Sequence, residues 1–221
     1  MSPAHVVIAI DGPAASGKSS VARALARRIG FVYVNTGAMY RAFTWQVLRE
    51  GVASADAEAV RRVLANCQGE GRMECGVEGG ESTIRMGGVD PSEHLASEEV
   101  NGNVSNVAAV PEVRRFLVDL QRCYAREWDV VMEGRDIGSV VFPETVHKFY
   151  IDASPEIRAQ RRARQGLRDA IGARDRQDSS RAESPLLVAE GAQVVDSSLM
   201  SVEEVVGELV ARLRAQGLDL K

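Results

Sequence analysis

Eight consecutive residues, Gly12-Pro13-Ala14-Ala15-Ser16-Gly17-Lys18-Ser19, fit the pattern GxxxxGK[ST]. Each position has a mechanical reason. Glycines and small side chains let the backbone curl until its N–H groups converge on phosphate oxygens. A helix that begins at the lysine adds the positive end of its dipole to the same spot. The Lys18 ammonium can bridge β- and γ-phosphates, and the Ser19 hydroxyl can ligate Mg2+. The donor-binding set read from this block is therefore Gly12 to Ser19 with the adjoining Ser20. It predicts a bound nucleoside triphosphate and leaves open whether the protein is a kinase, a GTPase-type switch or an ATP-driven machine.

Three later segments bear on that choice. In Asn35-Thr36-Gly37-Ala38-Met39-Tyr40-Arg41 a hydroxyl stands at a helix start with an arginine one turn on. That pairing suits a second phosphate, and it equally suits a plain helix cap beside a solvated arginine. Glu133-Gly134-Arg135-Asp136-Ile137-Gly138 puts a guanidinium and a carboxylate where a strand ends. Ligands of open α/β sheets collect outside such carboxyl ends. A buried Arg–Asp pair can be purely structural, but the flanking glycines suit a backbone that comes close to a ligand. From Arg158 to Arg181 eight arginines face three aspartates. A charge run usually covers a solvated helix. A kinase, however, needs guanidinium groups around the transferring phosphoryl, carried on an element that closes and expels water.

The elements that would position these residues follow from periodicity. Val6–Ile10 is an unbroken run of β-formers, as expected of a strand buried on both faces. Ser19–Ile29 has helical apolar spacing, Phe31–Val34 reads as a second strand, and a helix from Thr36 runs to about Arg49. Ser54 is placed to open another helix, to about Asn66. Between Gly69 and Pro91 the texture changes, and 72–77 and 82–86 alternate as two exposed strands of an inserted antiparallel piece. Residues 92–110 read as short helix and loop, and Pro111–Trp128 as a long amphipathic helix. Asp129–Met132, Lys148–Ile151 and Gln193–Val195 complete the strands. Ser154-Pro155-Glu156 is a helix start, and Ser201-Val202-Glu203-Glu204 is a capping box opening a helix to about Gln216. Five short apolar strands alternating with helices predict an α/β fold with an open, mainly parallel sheet.

Composition narrows the function classes. The chain has 221 residues, 45% apolar and 26% charged, which suits one globular unit with insertions and excludes a disordered chain. No apolar run approaches a membrane span, and the start carries no cationic signal segment, so the cytoplasm is the expected location. The net charge of −4 argues against a nucleic-acid partner. Arginine outnumbers lysine 24 to 3, which suits bidentate anion binding and equally suits a GC-rich coding sequence. Cys67, Cys75 and Cys123 form no CxxC pair, so reduced thiols are expected rather than a zinc site.

Taken together, IDGPAASGKSSVA (10–22), NTGAMYRA (35–42), VSNVAAVPEVRRFL (104–117), VMEGRDIGSVVFP (131–143), KFYIDAS (148–154), RDRQDSSRAESPL (174–186) and VVDSSLMSVEEVV (194–206) resemble the bacterial cytidylate kinases, of the P-loop nucleoside-monophosphate kinase superfamily. The blocks run in order over nearly the whole chain. The resemblance implies a P-loop kinase fold with a five-stranded parallel sheet, a monophosphate-binding insertion over about 37–110 and a lid over about 158–181. The core would then be 1–36, 111–157 and 182–221. It implies transfer of the ATP γ-phosphoryl to CMP or dCMP with Mg2+, by a monomer acting on small molecules. Arg41, Arg135 and Arg181 would hold phosphates. Ser105, Arg114 and Asp136 would read cytosine, Arg174 and Asp178 would meet the ribose, and Thr36 would line the acceptor site. Lys18, Arg41, Arg135, Arg162 and Arg181 would form the catalytic set, with Arg158 and Arg161 as further lid candidates. Asn35 stands where relatives carry an acid, and the stretch from Asp152 to Arg174 is shorter than in some of them.

Overall fold

A computed structural model describes residues 5–68, 73–164 and 185–220. In chain order its elements are β1 (Val7–Asp11), α1 (Lys18–Ile29), β2 (Val32–Asn35), α2 (Thr36–Arg49), α3 (Ala57–Cys67), β3 (Met73–Glu78) and β4 (Glu81–Met86). A 3-10 turn at Ser92–His94 precedes α4 (Glu98–Ala108), α5 (Pro111–Glu127) and β5 (Val130–Gly134). A short π-type turn (Ile137–Val141) follows, then β6 (His147–Asp152), α6 (Pro155–Arg164) and β7 (Gln193–Asp196). The last helix, Val202–Ala215, is α7 here. The chain divides into two compact units, one from residues 1–35 with 122–221 and one from 36–121.

The first unit carries five parallel strands in the order β2-β5-β1-β6-β7. β1 is central, so its neighbours cover both edges, and Val7 to Ile10 are buried as the unbroken apolar run requires. Register pairs Asp11 with Gly134 on one side and with Tyr150 on the other. The loop after β1 therefore leaves from the middle of the carboxyl edge. Helices α1 and α7 pack together, and Val21, Leu25, Leu209 and Leu213 join Ile8, Ile10, Phe149 and Ile151 in one apolar cluster. Full burial of one such side chain is worth about 1.5–3 kcal/mol. The capping box forms as its spacing predicts: Ser201 accepts from the Glu204 amide, and the Glu204 carboxylate accepts from the Ser201 N–H.

The second unit holds α2, α3, the β3–β4 hairpin, α4 and the first turns of α5. Its antiparallel hairpin closes between Glu78 and Glu81 through Gly79 and Gly80, both at positive φ, a two-residue turn that glycine adopts without strain. The described residues thus hold seven strands, five parallel in one unit and two antiparallel in the other, where five strands were expected for the sheet. α2 packs along α4, and each turns an apolar stripe inward, Met39, Phe43 and Val47 on one and Val100, Val104 and Val107 on the other.

Two local expectations change. Ser54 does not open a helix. The cap of α3 is Asp56, whose side chain accepts from the Ala59 amide, while Ser54 is buried and donates to Asn103 Oδ1 at 2.6 Å. Asp56 wins because it lies directly before the apolar-periodic run, and its carboxylate is a stronger acceptor. Residues 98–108 form a full helix where short helix and loop were expected; Ser97 caps it by accepting from the Val100 amide.

Candidate active site

The loop from Gly12 to Gly17 joins β1 to α1, as its motif requires. Gly12 adopts a φ of 155°, and a Cβ there would lie 2.1 Å from the Ile151 carbonyl oxygen. Gly17, at φ 89°, is the N-cap of α1. Ala15, at φ 60°, is the one residue other than glycine with positive φ among the described residues. These reversals curl the loop into a concave nest of backbone amides.

Three arginines act on the outside of that curl. Arg135 Nη1 donates to the Gly12 carbonyl at 3.0 Å, Arg158 Nη1 to the Ala14 carbonyl at 3.2 Å, and Arg161 Nη1 to the Ser16 carbonyl at 3.1 Å. In a planar trans peptide the carbonyl and the next N–H point in opposite directions. Holding the Ala14 and Ser16 carbonyls outward therefore turns the Ala15 and Gly17 N–H groups toward the concave side. The Ser197 hydroxyl also donates to the Ser16 carbonyl at 2.7 Å, and Arg161 bonds Ser197 through both its hydroxyl and its carbonyl.

Within the loop, Lys18 is buried and its Nζ donates to the Pro13 carbonyl at 3.1 Å. The Ser16 hydroxyl is buried with no hydrogen-bond partner. A hydroxyl left without a partner costs free energy in a protein interior, and a phosphate oxygen would satisfy it. Ser19 Oγ donates to Glu133 Oε1 at 2.9 Å, and Glu133 is only 3% exposed. A hydroxyl and a carboxylate at the foot of a phosphate loop are hard oxygen donors, the set that suits Mg2+. Among the described residues no three His, Cys, Asp or Glu side chains converge as a metal cage. Mg2+ in phosphoryl-transfer sites is held by one or two protein oxygens together with substrate phosphates, so these residues fit it.

Beside the loop lies a cavity of about 330 Å³, lined among others by Gly17, Ser20, Arg161, Met200, Val202 and Val205. Its walls combine aliphatic side chains from the start of α7 with loop backbone, a lining suited to a flat ring next to a phosphate.

At the carboxyl end of β5, Arg135 and Asp136 precede the π-type turn. The neighbouring Asp11 is 3% exposed, and its two oxygens accept from the Ile137 and Gly138 amides, each at 2.8 Å. Burial pushes its carboxyl up to about 7; the two amides and Lys18 pull it down, and Asp136 adds to the rise.

Four further site residues lie in the second unit. Thr36 and Arg41 are both on α2, Ser105 is buried on α4, which packs against α2, and Arg114 is on α5. Arg114 is 3% exposed, lies 5.2 Å from the Tyr40 ring centroid and donates to the Ala108 carbonyl at 3.2 Å. Stacking on an aromatic face and a backbone bond together fix a guanidinium's plane. The packing of α2 on α4 thus gathers Thr36, Arg41, Ser105 and Arg114 in one unit. Arg162 sits on α6 directly after Arg161. Arg174, Asp178 and Arg181, with the lid stretch from 165 to 181, lie outside the described residues.

Five contributors were not in the expected site set. Glu133 and Asp11 each carry a sequence signal, a lone carboxylate closing an apolar strand run. Arg158 and Arg161, read from the sequence as lid candidates, hold carbonyls of the phosphate loop. Ser197 gave no local signal, because its partner Ser16 is 181 positions away.

The family model described as cytidylate kinase matches residues 8–215. The curated cytidylate kinase of Mycobacterium leprae is 44% identical over 217 residues, covering 93% of this chain and 94% of its own. That of Pelotomaculum thermopropionicum is 44% identical over 219 residues, with 94% and 96% covered. That of Solibacter usitatus is 39% identical over 225 residues, with 96% and 94% covered. With its strand–loop–helix phosphate cradle and a match running from β1 to the end of α7, the chain belongs to the cytidylate kinase family.

Proposed function

We propose that the protein transfers the γ-phosphoryl group of ATP to CMP or dCMP, giving ADP and CDP or dCDP, in pyrimidine nucleotide metabolism. The single observation that carries the donor half is the phosphate nest. Its carbonyls are turned outward by Arg135, Arg158 and Arg161, and a buried Ser16 hydroxyl inside it lacks a partner. The adjoining cavity takes the donor base.

The reaction is an in-line displacement. An oxygen of the acceptor's phosphate bonds to the γ-phosphorus as the bond to the β–γ bridging oxygen breaks, and that oxygen leaves with ADP. Charge spreads over three equatorial oxygens, so the protein's task is alignment and charge stabilisation. Lys18 holds the β- and γ-phosphates, with the amides of Gly12 to Ser20 other than Pro13 around them. Ser19, beside Glu133, would hold Mg2+, which when bound supplies charge neutralisation across the β- and γ-oxygens. Arg41 and Arg135 hold the acceptor phosphate, and Arg162 and Arg181 act on the transferring group. Asp136 accepts from the exocyclic amine of cytosine, Ser105 and Arg114 reach its N3 and O2, and Thr36 lines the same site. Arg174 and Asp178 meet the ribose. No protein nucleophile is required. The reading implies small-molecule partners only, a monomer and a cytoplasmic setting.

A coupled ADP-release assay across CMP, dCMP, UMP and AMP tests the reading. Turnover of CMP and dCMP should exceed that of UMP and AMP. Equal or faster turnover of UMP or AMP, or ATP hydrolysis indifferent to any monophosphate, would overturn it.

A further inference from the structure

The turn at Ile137–Val141 begins with Asp136 at its N-cap position, at φ −146° and ψ 23°. Aspartate at an N-cap ordinarily bonds its own side chain to the second or third amide of the turn. Here Asp136 makes no such capping bond. The first amides of the turn, Ile137 and Gly138, donate instead to Asp11, one to each carboxylate oxygen, both at 2.8 Å. Asp11 closes β1, on the neighbouring strand and 126 positions away in sequence from Ile137. The next residue, Gly12, accepts from Arg135 through its carbonyl. Two adjoining residues of β1 and its loop thus hold the segment Arg135–Gly138 at both ends.

This arrangement is costly without a purpose. A second carboxylate, Asp11, is buried within the influence of Asp136, whose charge adds to the rise that burial imposes on Asp11. An Asp136 that capped its own turn would take the second or third of its amides, so Gly138 would not need Asp11. We propose that Asp11 is a positioning residue for the acceptor site: by capping the 137–141 turn from the adjacent strand, it keeps the Asp136 carboxylate out of the cap and directed to the acceptor base. The inference rests on the reading of Asp136 as the cytosine reader.

The proposal makes a specific coupling prediction. Without Asp11, the two amides lose their acceptor in a buried turn, and Asp136, already at its N-cap position, can turn its carboxylate to the second of them. Asp11→Ala should then resemble Asp136→Ala in base choice, and the two losses should not add. The test compares wild type, Asp11→Ala, Asp136→Ala and the double variant at pH 8, where Asp11 is largely ionised. The readout is the ratio of kcat/KM for CMP to that for UMP, which a loss of stability alone would not move. Asp11→Ala should lower the ratio at least about tenfold, the scale of a displaced charged hydrogen bond, and the double variant should match Asp136→Ala. A ratio within about twofold of wild type in Asp11→Ala, or additive losses, would overturn the proposal. Should Asp136→Ala leave the ratio unchanged, the cytosine-reading assignment fails by itself. Amide hydrogen exchange at Ile137 and Gly138 then decides on Asp11: faster exchange in Asp11→Ala supports the cap, and unchanged exchange refutes it. If Asp11→Ala does not fold, Asp11→Asn, which keeps the volume but replaces one acceptor by a donor, carries the same comparisons.

Discussion

Single side chains in this site are held by partners that mimic or await a ligand. Lys18 illustrates the point: its ammonium is buried and rests on the Pro13 carbonyl, an oxygen of its own loop. A phosphate oxygen offers the same acceptor with a full charge. Lys18→Ala removes a positive charge from the nest while leaving α1 with a strong helix former. We expect kcat to fall by about 10²–10³, the usual effect of deleting one preorganised group that stabilises transition-state charge. Single-turnover kinetics with an unchanged circular dichroism spectrum would check this. The lysine was legible from the sequence because its chemistry depends on seven contiguous neighbours. Glu133 was only partly so, because its Ser19 partner lies 114 positions away.

At the scale of elements, the phosphate loop is shaped from outside. Its curl is permitted by glycine but fixed by α6 and by the end of β7, through Arg158, Arg161 and Ser197. Arg161 alone bonds the Ser16 carbonyl together with the hydroxyl and the carbonyl of Ser197. Arg161→Ala should let the Ser16–Gly17 peptide rotate, taking an N–H away from the donor phosphates. We expect KM for ATP to rise about tenfold and KM for CMP to change less than about twofold, on the scale of one or two hydrogen bonds from a charged group. Initial-rate kinetics varying each substrate in turn would show it; an equal rise in both constants would contradict it. Periodicity located α6 and predicted its Ser154-Pro155 start. What it missed was the direction of the helix's arginines, because a helical wheel shows which residues share a face but not what that face meets.

For the whole molecule, the consequence of burying Asp11 is a pH-dependent stability. Its carboxyl is pushed up to about 7 in the folded protein, from an ordinary value of 3.8. Between those values the folded protein holds a proton that the unfolded chain has lost. Asp11 therefore contributes stability that is complete below about pH 4, falls as pH rises through 7, and is absent above it. The swing is on the order of a few kcal/mol. Urea unfolding at pH 5 and at pH 8 should show wild type losing stability relative to Asp11→Asn as the pH rises. A difference between the two proteins that stays constant with pH would contradict this.

The sequence by itself determined the phosphate cradle, the five parallel strands and the capping box that starts α7. Each rests on local rules: a contiguous motif, a run of β-formers, a cap with an acid three residues on. The order β2-β5-β1-β6-β7 was decided only by tertiary structure, and so were the π-type turn, the arginines behind the phosphate loop and the Asp11 cap on a turn more than a hundred residues away. The physical reason is one of range. Propensity and periodicity act over a few residues, whereas a buried hydrogen bond goes to whichever acceptor the packed sheet brings near, and no spacing in the chain records that neighbour.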